Sequence, residues 1–362
     1  MQYILILFWL FFAAVLGHTA GMHRRVKVLG REERRATQLY AWIVILPILF
    51  MAVTRSNYFG DTYQYLRDYR SIPSSMAGKW SYVQSHTKDT GFYALGALVS
   101  IFAGDHFRYF FLVIALIQGY CLVKTYRKYS EDYWFAIFAF VATTDYLSWM
   151  FNGIRQFTAV AITFAAAEPI FKKQYVKACV IVAFASLFHK SALMMIPVIF
   201  IVQGRPWNWK TILVILGTVV IMSASGVFTD TLDTVLQDTQ YSNMVSDWTR
   251  WEDDGTNPLR VLVYSIPTIL SLFCRKKIAK SGDRVIQIAC NMGIISTALY
   301  LVSMVTSGIF LGRLPIYCSL YANGILLPWE LKHVFGKQMR ALAICCYVLF
   351  YVFQLRYGWG IL

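Results

Sequence analysis

Charge is what this chain has least of. Only 15% of its 362 residues are Asp, Glu, Lys or Arg, against 57% apolar residues and a mean hydropathy of +0.50. Soluble domains carry about 25% charged and roughly 45–50% apolar residues. Too few charges are present to coat a globule of this size. Disorder is excluded as well, because 17% of the residues are aromatic, the opposite of a disordered composition. Acid is scarcer than base, with 19 Asp and Glu against 34 Lys and Arg. The seven cysteines (Cys121, Cys179, Cys274, Cys290, Cys318, Cys345 and Cys346) form no CxxC pair and lie in or beside apolar runs. They suggest small buried hydrophobes, with neither a disulfide framework nor a zinc site. Repeats and low-complexity tracts are missing too.

What is present is a succession of long apolar runs, the signature of a polytopic membrane protein. They fall at about 3–16, 38–54, 106–123, 133–151, 154–171, 174–188, 190–203, 211–228, 258–274, 285–307, 312–330 and 341–355. The expected fold is therefore all-α, an integral membrane bundle of about twelve transmembrane helices forming one domain over 1–362. Residues 91–104 are a thirteenth run, short for a hydrocarbon core of ~30 Å, and read as a re-entrant or interfacial helix.

The first run has no basic residue in front and is followed by Arg24, Arg25, Lys27, Arg31, Arg34 and Arg35. A cleavable signal has the reverse order, so this is read as an anchor. The positive-inside rule puts its N-terminus on the outer side and 21–37 in the cytoplasm. On that topology the cytoplasmic connections hold 22 of the 34 basic residues and 7 of the 19 acidic ones, Glu168 and Glu330 among them. The excess of 15 is the entire formal net charge. Topology thus accounts for the basic balance, and no nucleic-acid partner is needed.

Two outer segments, 55–90 and 229–257, are long and mix aromatic with charged residues: Tyr58, Phe59, Tyr63, Tyr65, Tyr69 and Trp80, then Tyr241, Trp248 and Trp251. Such a mixture suits a sugar or headgroup surface; the plainer reading is interfacial anchoring. Ionisable residues at span ends are functional candidates. Arg55 leads into Gly60-Asp61-Thr62-Tyr63-Gln64-Tyr65. Asp105, His106 and Arg108 precede one span, and Asp145 lies near the end of the next. Asn152-Gly153-Ile154-Arg155-Gln156 and Phe188-His189-Lys190-Ser191 fill tight turns, and Gly312-Arg313 opens a late helix. For any one of them a snorkelling cap is the bland alternative.

Three planar guanidinium forks (Arg55, Arg155, Arg313) on one face suit a diphosphate, which Arg binds bidentately. A histidine, with a pKa of ~6.5, is a ready general base, and Asp61 offers a carboxylate to orient or replace His189. The set suits a transfer in which a diphosphate leaves and a hydroxyl attacks. No Asp-x-Asp or His-x-x-x-His pair appears in the outer segments, and the adjacent Asp253-Asp254 is poor chelating geometry. Neither a metal nor another cofactor is called for.

Asn152 to Gln156 with Thr158, Ala159 and Ala161, then Phe188 to Leu193, resemble the EpsG/Wzy-like polysaccharide polymerases of bacteria. So do Arg55 with Gly60-Asp61-Thr62 and Tyr65, and Gly312-Arg313 with its aromatic helix. The resemblance runs from about residue 40 to 330. It implies a glycosyltransferase of the bacterial inner membrane, acting at the periplasmic or outer face in surface-polysaccharide assembly (exopolysaccharide or the O-antigen of lipopolysaccharide). Repeat units carried on undecaprenyl diphosphate would be the substrate, the growing chain being moved onto the next lipid-linked unit. Arg155, Arg313 and Arg55 would hold the diphosphate, with Gln156, Asn152 and Lys190 beside them. His189 would act as base or orient the hydroxyl, and Asp61 with Tyr65 would lie near the acceptor sugar. A flippase and a chain-length regulator of the same pathway are the partners implied. Rival readings are a flippase for the same saccharide, a membrane acyltransferase, and a transferase using a polyprenyl-phosphate sugar.

Overall fold

Long apolar runs have no way to satisfy their backbone in lipid except as helices, and in the computed structural model every run named above is helical. The structure describes residues 2–236, 255–308 and 310–361. Tyr241, Trp248, Trp251 and Asp253-Asp254 lie outside the described residues. The chain groups into two compact units, Met1–Ile196 with Ala341–Leu362, and Pro197–Arg340.

The first unit opens with α1 (Gln2–Thr19) and a β-hairpin, β1 (His23–Val28) and β2 (Arg31–Ala36). Its helices are α2 (Gln38–Thr54), α3 (Thr62–Arg70), α4 (Met76–Ser85), α5 (Thr90–Ala103), α6 (Phe107–Tyr129), α7 (Tyr133–Ala142), α8 (Asp145–Phe151), α9 (Ile154–Ala165), α10 (Ala167–Phe171) and α11 (Tyr175–Ser186). The hairpin falls in the segment expected to be a plain basic connection. Val28 and Arg31 close it around a two-residue turn, Leu29-Gly30, both at positive φ, the geometry of tight hairpins. Lys27 pairs with Glu32 and Val26 with Glu33. Arg35, buried, donates from Nε to the Lys128 carbonyl at 3.1 Å and pairs with Glu33, fastening the hairpin to the end of α6.

Polar atoms of aromatic side chains lock α1, α2 and α7 together. Tyr40 Oη donates to the Ala13 carbonyl at 2.9 Å, Tyr133 Oη to Ala41 at 2.9 Å, and Trp134 Nε1 to Leu10 at 2.6 Å. Helix α6 packs between α2 and α9, where Gln118 Nε2 donates to Thr158 Oγ1 at 3.0 Å. Beyond α9, Glu168 bridges Lys128 at 2.7 Å and Lys172 at 2.6 Å. Segment 55–90 is a folded layer, not an irregular loop: it carries α3 and α4. Lys79, 8% exposed, donates from Nζ to the Pro73 carbonyl at 2.8 Å and to Ser100 Oγ on α5 at 2.7 Å.

The second unit holds α13 (Trp209–Ser223), α14 (Ser225–Leu236), α15 (Pro258–Ser281), α16 (Arg284–Met304), α17 (Ile316–Tyr321) and α18 (Leu327–Glu330); α12 (Met195–Ile201) leads in and α19 (Gly336–Phe353) leads out. Two π-helical turns, Ala322–Leu326 and Leu331–Phe335, flank α18. Glu330, counted from the sequence with the cytoplasmic connections, is instead fully buried, with Cys274 Sγ 3.5 Å from its Oε1.

Among the described residues, five helices are long and apolar enough to cross a membrane, or seven if each of two bent pairs is one span. The pairs are α7 with α8, bent by 78°, and α13 with α14, bent by 98°. Thr144, at φ +64, makes the first bend. Helices α2, α5, α9, α11 and the stretch Lys190–Ile201 are apolar but shorter. The count of about twelve is thus spread over helices of unequal length, and 312–330 and 341–355 fall in one helical stretch, Leu311–Gly358. Cys345 and Cys346 are exposed rather than buried.

Candidate functional site

Short connections between helix ends gather charged side chains at one end of the first unit. The chain leaves α2 through Arg55, whose guanidinium turns inward. Its Nε donates to Thr62 Oγ1 at 3.0 Å, Nη1 to the Ala52 carbonyl, and its plane lies 4.2 Å from the centre of the Phe111 ring. Burial without a carboxylate brings its pKa down to about 10. Arg55 therefore ties the end of α2 to the start of α3. Arg108 closes the same end, donating from Nη1 to the Val53 carbonyl at 3.0 Å.

The turn before α3 is seated on the turn before α9. Asp61 N–H donates to Asn152 Oδ1 at 2.6 Å. Gly60 sits at φ +49 with the Asn152 carboxamide where a Cβ would stand, so both the backbone angle and the contact demand glycine. Asn152 thereby acts as a strut between two segments 91 residues apart. The Asp61 side chain stays exposed and makes no cap bond to α3.

Arg155, one residue into α9, lies beside this joint. Its Nη1 donates to Asp89 Oδ2 at 3.0 Å and reaches Tyr93 Oη at 3.5 Å, and its guanidinium lies 5.9 Å from the Tyr65 ring centre. The arginine side chain is 36% exposed, whereas that of Asp89 is only 8% exposed. Asp89 precedes α5 at φ +52, an uncommon conformation for a residue with a side chain. It holds the N-cap position yet makes no cap bond, and its Oδ1 is buried without a hydrogen-bond partner. Burial raises its pKa, against the opposing charges of Arg155, Lys190 and Lys88. Three cations thus surround one carboxylate, leaving the neighbourhood positive.

The Gly91 N–H donates to the Leu187 carbonyl at 2.8 Å, joining the start of α5 to the end of α11. Immediately beyond, His189 caps a 3₁₀ turn (Lys190–Met194). Its Nδ1 lies 2.7 Å from Ser191 Oγ and accepts the Ser191 N–H at 3.4 Å. Lys190 is exposed, while Gln156 is buried just inside α9.

Of the residues picked out in the sequence, Arg55, Asp61, Tyr65, Asn152, Arg155, Gln156, His189 and Lys190 thus fall on connected elements of the first unit. Arg313 belongs to the second unit, exposed at the end of a 3₁₀ turn (Leu311–Arg313). Asp89 and Tyr93 escaped sequence reasoning. The signal was available as Asp89 before the apolar run Thr90–Ala103, a residue type that caps helices and here is left free to meet Arg155.

Next to Arg155, a narrow cleft of about 10 Å³, room for one water molecule, runs among α3, α4, α5 and α6. Tyr65, Tyr69, Tyr82, Phe92, Tyr93 and Phe110 line it, with the Asp68 carboxylate and Gly96. Tyr65 and Tyr93 belong both to the cleft and to the surroundings of Arg155.

No curated protein and no solved structure matches this chain. The EpsG family does match, over residues 38–359, nearly the whole chain. The chain belongs to the EpsG family, and with it to membrane proteins of polysaccharide-polymerase type.

Proposed function

We propose that this protein polymerises lipid-linked oligosaccharide repeat units, moving the growing glycan from undecaprenyl diphosphate onto a hydroxyl of the next lipid-linked unit. The observation that carries the reading is the Arg155 fork. One nitrogen is fixed by a buried carboxylate and a tyrosine, and a third of the side chain faces solvent. The fork, bonded also to the Tyr65 side chain, offers its solvent-facing N–H groups to an anion without losing further rotamer freedom. In the reaction the acceptor hydroxyl oxygen bonds to the anomeric carbon, and the carbon–oxygen bond to the diphosphate breaks. The diphosphate departs with the electron pair, and the hydroxyl proton passes to a base.

Arg155 and Lys190 serve the leaving diphosphate. His189, its ring held through Nδ1 at Ser191, takes the hydroxyl proton as base or orients the hydroxyl. The exposed Asp61 is the carboxylate available to orient or replace it. Arg55 and Asn152 hold the elements that carry the others. The charge asymmetry supports the reading that this end of the first unit lies on the outer, periplasmic face.

The test is a gel of surface polysaccharide from cells lacking the chain and complemented with wild type, Arg155→Ala or Arg155→Lys. A ladder with wild type and single-unit material with both variants is expected, since a point charge does not replace the fork. A full ladder with the lysine variant would remove the diphosphate role. The buried Glu330 favours a second reading, a flippase, because intramembrane carboxyls mark transport paths. Under it, cells lacking the chain would carry no lipid-linked unit on the outer face, whereas a polymerase defect leaves single units there.

A further inference from the structure

Two arginines at the end of α6 face each other with no acidic partner among the described residues. Arg127 lies on the last turn of the helix and is partly exposed. Its Nε is buried without a hydrogen-bond partner, while its two terminal nitrogens, unbonded among the described residues, stay open to solvent. Packing thus holds the side chain with its fork outward. Arg24, exposed on β1, stands close enough for the two like charges to oppose each other. The hairpin register explains the approach. Arg24 pairs with Arg35, so both side chains leave the same face of the hairpin, and Arg35 is bonded to the Lys128 carbonyl of α6. Acids at this end are committed elsewhere. Glu33 pairs with Arg35, Asp132 caps α7, and Glu168 holds Lys128 and Lys172. Glu32 lies 3.9 Å from Arg25, on the other face of the hairpin. Unpaired guanidinium forks brought together are suited to an anion, a phosphate above all.

The surface of α6 shows which phosphate. Leu112, Leu116 and Tyr120 are 38%, 44% and 51% exposed. Lys124 continues the row at the same spacing, also exposed, and Arg127 follows one turn on. Residues three and four apart share one helix face. Helix α6 is long and apolar enough to cross a membrane, so an exposed apolar row on it meets acyl chains. From Leu112 to Lys124 the helix rises about 18 Å, close to one leaflet's share, about 15 Å, of the hydrocarbon core. A lipid lying along the row therefore brings its own headgroup to the cations.

We propose that Arg24, Lys124 and Arg127 bind the headgroup phosphate of an anionic phospholipid whose acyl chain lies along this row. The phosphate oxygens accept from the two arginine forks, and Lys124 adds a point charge. Basic clusters beside a membrane helix attract anionic headgroups in general; here the fork of Arg127 and the apolar row define one seat. The site is independent of the polymerase reading. A water-soluble phosphate would meet the same forks but would make no use of the row that ends at them.

The experiment uses the purified full chain, stripped of lipid in a neutral detergent. It follows the rise in melting temperature on adding phosphatidylglycerol, phosphatidylcholine with the same acyl chains, or water-soluble glycerol phosphate. Each variant is read against its own lipid-free melting, so one of altered stability still reports. Phosphatidylglycerol should stabilise wild type at lower concentration than phosphatidylcholine. Arg24→Gln and Arg127→Gln should each raise the phosphatidylglycerol concentration for half the effect about tenfold or more, the loss of a charge-assisted hydrogen bond. Arg25→Gln and Arg34→Gln, on the opposite face of the hairpin, should leave it within about twofold. Equal losses of about fivefold at all four arginines would overturn the site in favour of diffuse attraction to an anionic surface. Wild type that does not distinguish the two lipids would overturn it outright. Stabilisation by glycerol phosphate at the concentrations effective for phosphatidylglycerol would overturn the lipid source in favour of a soluble phosphate.

Discussion

Replacing Arg155 with alanine removes the nearest counter-ion of a carboxylate that is almost wholly buried, whereas replacing Asp89 leaves an arginine already one-third exposed. The two halves of this ion pair should therefore be unequal. Breaking a fully buried pair by removing one partner costs about 3–5 kcal/mol, and an exposed pair is worth at most ~1 kcal/mol. With Lys190 and Lys88 still near Asp89, Arg155→Ala should cost about 2 kcal/mol and Asp89→Ala about 1 kcal/mol or less. For a cooperative unit of about 200 residues, each kcal/mol shifts melting by roughly 2–4 °C. Thermal unfolding at one scan rate and detergent should then show Arg155→Ala lower by about 4–8 °C. The double variant should recover part of that loss, because it no longer strands a buried charge.

The pH dependence has a definite sign. Burial raises the Asp89 pKa in the folded chain, so its contribution is favourable at low pH and is lost as pH rises through that value. Deleting Arg155 removes an opposing charge and raises the pKa further, so the deficit of Arg155→Ala should shrink as pH falls through that raised value. Equal losses for the two single variants, or a strictly additive double variant, would refute this reasoning.

Glu168 should behave in the opposite way. Hydrogen bonds from Lys128 and then Lys172 lower its pKa to about 2, so the stability it confers is present above the ordinary carboxylate range and is lost as pH falls towards 2. Acid melting of Glu168→Gln should lack that component, and an unchanged acid profile would contradict the bridge. Gly60→Ala forces a Cβ into the Asn152 carboxamide at positive φ and should melt below wild type. Adding Asn152→Ala should recover part of the loss by removing the clash, and no recovery would place the strain elsewhere. In a cysteine-free background, a cysteine at Ser56 should react with an impermeant maleimide from outside and one at Lys27 on β1 should not; the reverse pattern would invert the topology.

The apolar runs made the helical character of the chain legible, because their composition alone admits few other structures. The tight turns at 152–156 and 188–191 were equally plain, since charged residues interrupt apolar sequence there. Less legible was anything decided by pairing across long separations. Arg155 has no acidic neighbour in sequence, and its partner Asp89 lies 66 residues away. Arg55 looked like a free ligand for phosphate because nothing in Thr54-Arg55-Ser56 reveals that its plane lies on Phe111. The hairpin was hidden by composition, as His23 to Ala36 is too charged for an ordinary strand pattern and its turn, Leu29-Gly30, is not one of the strong hairpin dipeptides. Glu330 was counted with the cytoplasmic connections, yet it is fully buried while Lys332, two residues on, is exposed, because positions two apart on a helix lie on different faces.

Helix α11 has 12 residues, a rise of about 18 Å at ~1.5 Å per residue, against a hydrocarbon thickness of about 30 Å. Where α11 crosses the bilayer, as its apolar run implies, the difference of about 12 Å is absorbed by local thinning of the bilayer or by ending the helix below the headgroups. On the proposed function, the turn bearing His189 and Lys190 then lies close to the level of a prenyl carrier's phosphates. A lipid-borne substrate would meet the protein sideways, from within the leaflet, and turnover should vary with acyl-chain length in reconstituted membranes.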